Sequence, residues 1–280
     1  MKNILLPTDF SENAYNAISY ALSLFKNEKT NFYILNTYIP AITHSRFMAA
    51  TAKTEVVEKC AQTVSKKGLK DTLHYIALHH KNPNHTYKTI SSFNLLIHEV
   101  VDIIKNENID FVVSGTKGIT NFSRVFIGAN TMHIINAIKE CPVLAIPNNS
   151  SFYKPKQLVL ATDLKRSLSI EALNTLLFIT DLYNCTLHIL HLKTSDMLDE
   201  FQQSNVTILQ HCLDKTPLKL HFLPSYSSKS EIISSFIKDY SIDMLLLIYN
   251  NRSYLEDLLQ ELIQEKTAYH TKIPLLVLPS

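Results

Sequence analysis

Short apolar runs alternate with stretches in which apolar residues recur every three or four positions. In the first half of the chain, the runs predict strands at 4–6, 32–35, 72–78, 111–113 and 143–146. The helical spacing predicts helices over 14–25, 51–65, 96–104 and 132–138. Ser11 is the expected N-cap of the first helix, and Glu12 follows in its first turn.

The second half shows the same order of elements. Strands are predicted at 158–161, 187–190, 218–223, 244–248 and 275–278, and helices over 167–182, 201–213, 232–237 and 254–265. Strands that alternate with helices are typical of right-handed βαβ units, which build a parallel sheet. Their apolar character predicts helices on both faces of that sheet.

Residue matches between the halves indicate an internal repeat. The segment Pro7-Thr8-Asp9-Phe10 corresponds to Ala161-Thr162-Asp163-Leu164, and 109–113 corresponds to 242–246. The offset is 155 at the second strand and 133 at the fourth, so the second copy is about twenty residues shorter between them. With a polar linker near 148–156, the 280 residues predict two domains, 1–150 and 151–280.

Composition narrows the class of protein. A hydrophobic content of 46% and a charged content of 19% are ordinary for a globular chain, and a net charge of +2 without a basic run does not indicate nucleic acid. No apolar stretch reaches the roughly 18 residues of a membrane helix. Four cysteines without a CxxC pair, and no signal peptide, favour a reducing, cytoplasmic location.

Glycine is scarce and unevenly placed. The chain has only four glycines, and Gly115, Gly118 and Gly128 fall within fourteen residues. They belong to Ser114-Gly115-Thr116-Lys117-Gly118, followed after nine residues by Gly128-Ala129-Asn130-Thr131, between a strand and a helix. Glycine lets an anion approach backbone N–H groups, and the helix N-terminus favours phosphate. Lys117 and Arg124 would add positive charge.

A glycine-rich turn that only shapes the chain is the alternative interpretation. The internal repeat provides a comparison, because the matching segment 249–253 contains no glycine. The fold therefore closes without glycine at this position, which favours a ligand in the first half.

At this point the chain resembles the universal stress protein family. The resemblance rests on Gly-x2-Gly-x9-Gly after a strand, on Pro7-Thr8-Asp9 at the end of the first strand, and on Pro142-Val143-Leu144 at the last. It implies two tandem open five-stranded parallel α/β sandwich domains of the adenine nucleotide alpha hydrolase-like type, with strand order 3-2-1-4-5. In that order Asp9 and Gly115 face one crevice.

The resemblance also implies a ligand, which is ATP, ADP or AMP, with or without Mg²⁺. The turn Pro7-Thr8-Asp9 would contact the adenosine part and the backbone near Thr37 the adenine. The glycine segment would wrap ribose and phosphates, through Ser114, Gly115, Lys117, Gly118, Arg124, Gly128, Ala129, Asn130 and Thr131. The family normally has Ser or Thr where Ala129 stands, and Asn130 and Thr131 are the candidate replacements for that hydroxyl.

For the second half, the resemblance implies a degenerate domain without a nucleotide site. The last strands, 143–146 and 275–278, would pair the two domains within the chain, and a homodimer is a further assembly to expect. A tandem scaffold or small-molecule binder without nucleotide is the alternative function. No catalytic constellation is present, so an enzyme is not expected beyond slow, incidental ATP hydrolysis.

Other polar signals have plainer interpretations. Asp9 and Asp163 would each serve equally well as caps of the turn after a strand. His79, His80 and His85 fall in a polar segment that predicts a solvated loop rather than a metal site. His188 and His191 lie three apart in a strand and therefore point to opposite faces.

Overall fold

The computed structural model describes residues 1–39, 54–116, 129–148, 150–193, 197–224, 228–249 and 273–279, with backbone alone at 54–57, 129 and 193. In the first half the elements are β1 (Lys2–Pro7), α1 (Glu12–Leu24), β2 (Thr30–Thr37), α2 (Thr54–His79), β3 (His85–Ser92), α3 (Leu96–Glu107), β4 (Phe111–Gly115), α4 (Ala129–Ala137) and β5 (Val143–Ile146).

The second half follows the same plan. Its elements are β6 (Gln157–Ala161), α5 (Ile170–Tyr183), β7 (Thr186–Lys193), α6 (Glu200–Cys212), β8 (Leu218–Pro224), α7 (Lys229–Asp239), β9 (Met244–Ile248) and β10 (Leu275–Leu278). The helix predicted over 254–265 lies outside the described residues.

The ten described strands form one sheet in the order β3-β2-β1-β4-β5-β10-β9-β6-β7-β8. Within each half every pair of neighbouring strands is parallel, and each half has the order 3-2-1-4-5. The predicted fold class, two tandem five-stranded parallel α/β units, is confirmed.

The two halves meet where β5 pairs antiparallel with β10. Leu144 lies opposite Leu276, its own counterpart in the repeat, and Val143 lies opposite Val277. Because equivalent residues face each other, a pseudo-two-fold axis passes between Leu144 and Leu276. This is the arrangement of an isologous interface contained within one chain.

Helices cover both faces of the sheet, so the chain has two hydrophobic cores. Ile4 and Leu6 point into the core under α1, α2, α5 and α6, whereas Leu5 between them points into the core under α3, α4 and α7. This alternation is the period of two that a strand buried on both faces requires.

The first core continues from one half into the other. The rings of Phe25, after α1, and Phe178, in α5, stack with centroids 6.1 Å apart. The Tyr183 hydroxyl at the end of α5 donates toward the carbonyl oxygens of Ser23 (3.2 Å) and Leu24 (2.9 Å) at the end of α1. The Tyr183 hydroxyl thus helps to cap the end of α1 across the junction, beside the local bond from the Lys26 N–H to the Ser23 carbonyl.

Helix α1 begins as predicted. The Ser11 hydroxyl accepts the N–H of Ala14, and Glu12 follows in the first turn.

The strand predicted at 72–78 is wrong, because these residues form the second half of α2. Leu69, Thr72 and Ile76 are buried at helical spacing, and Leu69 and Ile76 belong to the first core. The third strand is β3 instead. It lies at the edge of the sheet and most of its residues are half-buried or exposed, so its hydrophobic signal is weak.

The histidine segment also differs from the prediction of a solvated loop. His79 ends α2, and His85 begins β3 with only 7% of its surface exposed. The Nε2 atom of His85 lies 3.1 Å from the carbonyl oxygen of Phe25, so His85 fastens β3 to the end of α1.

Candidate functional site

The carboxyl ends of β1, β2 and β4 lie side by side. Leu5 pairs with Val112, and continuing this register places Pro7 level with Ser114. Pro7 pairs with Leu35 on the other side, two residues before the end of β2 at Thr37. The crevice expected between Asp9 and Gly115 therefore lies at the point in the sheet where crossovers change direction, which is where open α/β sheets bind ligands.

The turn after β1 is held by its own side chains. The Thr8 hydroxyl accepts the N–H of Phe10 at 3.0 Å, and Asp9 Oδ1 accepts the N–H of Ser11 at 3.0 Å. Phe10 adopts a left-handed conformation, with φ of 62°, that only glycine tolerates easily. Asp9 is half-buried.

The second half repeats this turn. The Thr162 hydroxyl accepts the N–H of Leu164 at 3.1 Å, and Asp163 Oδ1 accepts the N–H of Lys165 at 3.0 Å. Leu164 is also left-handed, with φ of 57°. The turn thus belongs to the fold, and one oxygen of each aspartate serves as a cap whatever else the carboxylate does.

The second strand of each half supports the turn from below. Asn36 in β2 donates its amide N–H to the Thr8 carbonyl at 2.8 Å. His191, its counterpart in β7, places Nδ1 3.1 Å from the Thr162 carbonyl. Since a carbonyl only accepts, Nδ1 of His191 carries the proton. His188 is on the opposite face, as predicted, beside Phe236 of α7.

The end of β4 is tied to the start of α4. The Thr131 hydroxyl donates to the Gly115 carbonyl at 2.7 Å and lies 3.3 Å from the Ser114 hydroxyl. Thr131 is only 2% exposed. Thr131 and Asn130 are the two candidate replacements for the missing hydroxyl at position 129. The Thr131 hydroxyl is already hydrogen-bonded within the protein, whereas Asn130 is exposed at the N-terminus of α4.

Gly115 has a packing role of its own. A Cβ atom at this position would lie 2.3 Å from Nδ2 and 2.9 Å from the carbonyl oxygen of Asn13 in α1. The absence of a side chain therefore lets α1 approach the end of β4. Lys117, Gly118, Arg124 and Gly128, as well as the side chain of Ala129, lie outside the described residues.

The matching turn of the second half is covered by α6. The Gln202 amide donates to the Asp163 carbonyl at 2.8 Å, and the Asn205 amide donates to the Leu164 carbonyl at 2.9 Å. Both amide side chains are buried. In the second half, two buried amide side chains of α6 thus bind the backbone carbonyls of the turn.

Among the described residues, no group of three or more His, Cys, Asp or Glu side chains is arranged to hold a metal ion. Burial raises the pKa of the Cys141 thiol to about 12 and that of Cys185 to about 11, so both stay protonated near neutrality. None of the helices described here has the length and apolar character to cross a membrane.

These features define a tandem α/β protein whose first half brings the turn after β1 and the end of β4 together at the switch point of the sheet. The family model described as the universal stress protein family matches residues 1–147, more than half of the chain. The chain belongs to the universal stress protein family, as its motifs indicated.

Solved structures show the same fold along the whole chain. A universal stress protein from Archaeoglobus fulgidus DSM 4304 is similar with a TM-score of 0.65 and 14% identity, over 99% of this chain and 96% of that one. A functionally unknown protein from Pseudomonas aeruginosa PAO1 has a TM-score of 0.59 and 12% identity, over 100% and 92%.

The cytoplasmic domain of a prokaryotic cation chloride cotransporter is also similar, with a TM-score of 0.53 and 10% identity, over 100% of this chain and 95% of that one. At these identities the likeness concerns the fold alone. No curated protein matches the chain.

Proposed function

We propose that the first domain, residues 1–150, binds an adenine nucleotide, and that the second, residues 151–280, is a partner domain without such a site. The observation that carries this proposal is the contrast between the two crevices. The Asp9 turn is accompanied by a glycine segment and an exposed helix N-terminus at Asn130, whereas the Asp163 turn is covered by Gln202 and Asn205.

Each part of the crevice has chemistry that suits one part of a nucleotide. The Asp9 carboxylate accepts hydrogen bonds from ribose hydroxyls, and the backbone at Thr37 suits the edge of adenine. The glycine segment and the start of α4 offer N–H groups to phosphates, with Lys117 and Arg124 as cationic partners. ATP, ADP and AMP share these groups, and Mg²⁺ would bind through the phosphates.

Such a domain would act as a stress-response or signalling module that holds its ligand rather than converts it. Nucleotide would stabilise the first domain by mass action and thereby bias its interactions. ATP hydrolysis would be slow and incidental, and a cytoplasmic location follows from the same role. The internal pair would serve in place of a dimer of single domains, and a homodimer of the whole chain would be a further assembly.

A tandem scaffold or small-molecule binder without nucleotide is the second candidate. It is favoured by the committed Thr131 hydroxyl and by the packing role of Gly115 against Asn13. With Ala129 in place of Ser or Thr, a triphosphate loses a hydrogen bond that is worth about 1.5–3 kcal/mol when one partner is charged.

The repeated turn supplies a matched pair of variants. Asp9→Asn and Asp163→Asn each keep an oxygen that can accept the N–H two residues on, and each removes one negative charge. We expect Asp9→Asn to raise the Kd for ATP in titration calorimetry by about tenfold, the range of one charge-assisted hydrogen bond, and Asp163→Asn to leave it unchanged.

Mass spectrometry of the ligand released on denaturation provides the direct reading. Protein purified without added nucleotide should release ATP, ADP or AMP, and a Gly118→Asp variant should release none. If neither protein releases nucleotide, and millimolar ATP does not raise the Tm of the wild type, the nucleotide proposal fails and the scaffold function takes its place.

A further inference from the structure

Gly68 is the glycine that the nucleotide motif leaves unexplained. It lies in the interior of α2, where glycine destabilises a helix by about 1 kcal/mol relative to alanine. A Cβ atom at Gly68 would lie 2.5 Å from both Cε2 and Cζ of the Phe10 ring, well inside contact distance. The absent side chain therefore makes room for that ring.

Phe10 is the residue that shapes the Asp9 turn. Its left-handed backbone is unfavourable for a bulky residue, by roughly 1–2 kcal/mol. Its N–H bonds the Thr8 hydroxyl, and the next N–H bonds Asp9 Oδ1. The ring packs against the first hydrophobic core. Because the backbone of Phe10 is part of the turn, the position of the ring on Gly68 is coupled to the orientation of Asp9.

The second half shows what happens without a large ring. Leu164 stands at the position of Phe10 with nearly the same φ, 57° against 62°, and it is buried. Helix α6, which occupies the place of α2, contains no glycine. The smaller leucine is accommodated without a glycine in the neighbouring helix. The glycine in α2 is therefore associated with the phenylalanine ring and not with the conformation of the turn.

We propose that Gly68 is a positioning residue for the candidate nucleotide site, since it seats the Phe10 ring and so holds the Asp9 turn in its binding conformation. This inference rests on the proposed function for its effect on ligand, but not for its effect on the turn. It connects α2, which lies far from Asp9 in sequence, to the mouth of the crevice.

The variant Gly68→Ala separates the two roles that a helical glycine can have. If Gly68 served α2 alone, alanine would leave the turn unaltered and stabilise the helix. If it seats Phe10, alanine displaces the ring, and the amides of Phe10 and Ser11 lose their side-chain acceptors. Hydrogen exchange at these two amides should then accelerate by about tenfold, and the Kd for ATP should rise by a similar factor.

Two further variants sharpen the test on the full-length protein. Lys67→Ala places an alanine one position earlier, on the exposed face of α2, and should change neither quantity. Adding Phe10→Leu to Gly68→Ala copies the second half and should restore slow exchange at residues 10 and 11. Circular dichroism identifies any variant that has lost its helices.

The exchange measurement decides this inference whether or not nucleotide binds. Unchanged exchange at residues 10 and 11 in Gly68→Ala overturns it, because the ring would then have moved aside without disturbing the turn. Faster exchange without rescue by Phe10→Leu also overturns it. If the wild type itself fails to bind ATP, the nucleotide proposal fails, while the exchange data still show whether Gly68 holds the turn.

Discussion

Individual side chains of this protein have paired roles that the repeat makes visible. The aspartates at 9 and 163 cap the same turn, and Asn36 and His191 support it through the same carbonyl. Asp110 accepts the N–H of Asn3, and Asp243 likewise accepts the N–H of Gln157, at the opposite ends of the strands. Residues that make the same hydrogen bonds in both halves are therefore explained by the shared fold.

His188 belongs to a cluster of polar side chains in the second half. It is 1% exposed, its Nε2 lies 2.8 Å from the Gln157 side-chain oxygen, and its Nδ1 lies 3.0 Å from Nε2 of His221. Gln157 only accepts there, so Nε2 of His188 carries the proton and Nδ1 accepts from His221. Both rings pack on Phe236 of α7 and on Tyr240 just after it, and Lys219 is paired with His188 across β7 and β8.

This arrangement predicts a pH-dependent stability. Burial, then the His221 and Lys219 charges, lowers the pKa of His188 to about 4, against about 6.5 in an unfolded chain. The unfolded state therefore binds more protons between these values, so the free energy of unfolding should fall as the pH falls from about 6.5 toward 4.

Urea unfolding across this range checks the prediction, with His188→Gln as the variant and His211→Gln, on the exposed face of α6, as its control. We expect a shallower pH dependence in His188→Gln only. Equal slopes in all three proteins would show that His188 does not contribute to it.

Among the elements, the long helix α2 departs most from its counterpart. It has 26 residues where α6 has 13, which accounts for much of the shorter second copy. In α2, Gly68 packs against the ring of Phe10 in the turn. In α6, Gln202 and Asn205 hydrogen-bond to the carbonyls of the matching turn. The Asp9 turn and the Asp163 turn are thus packed against two different helices on one common plan.

The contact between α1 and α5 gives a prediction for elements that belong to different halves. Tyr183→Phe removes the hydroxyl that reaches the carbonyls of Ser23 and Leu24, while the ring stays in place. We expect a loss of about 0.5–1.5 kcal/mol in the free energy of unfolding. Tyr153→Phe, at a side chain that is 76% exposed, should cost nothing in the same denaturant series.

In the structure of the whole molecule, the two halves share one sheet through the pairing of β5 with β10. Removing the second half would expose the β5 edge, with its buried apolar residues Val143, Leu144 and Ile146. We expect a fragment of residues 1–150 to pair through this edge with a second copy, since an unpaired apolar edge strand is a template for association. Light scattering after gel filtration should give twice the fragment mass.

A Leu144→Lys change in that fragment should keep it monomeric, because two lysines would face each other at the two-fold axis. A monomeric fragment with the native edge would contradict this prediction.

Periodicity was enough to predict the order of elements, the repeat and the class of fold, because strands buried on both faces and amphipathic helices carry strong local patterns. It failed at 72–78 and at β3, where an edge strand is mostly polar and a helix is marked only by Leu69, Thr72 and Ile76. The glycine motif and the Asp9 turn could also be recognised in the sequence, since each is a pattern within one short segment.

Contacts between residues that are far apart in the chain could be identified only from the tertiary structure. No local pattern connects Gly68 to Phe10, Thr131 to Gly115, or Gln202 to Asp163, because each contact joins residues from elements that are separate in the chain. Sequence identifies which residues have suitable chemistry. Packing determines which of them are already committed to the protein and which remain available to a ligand.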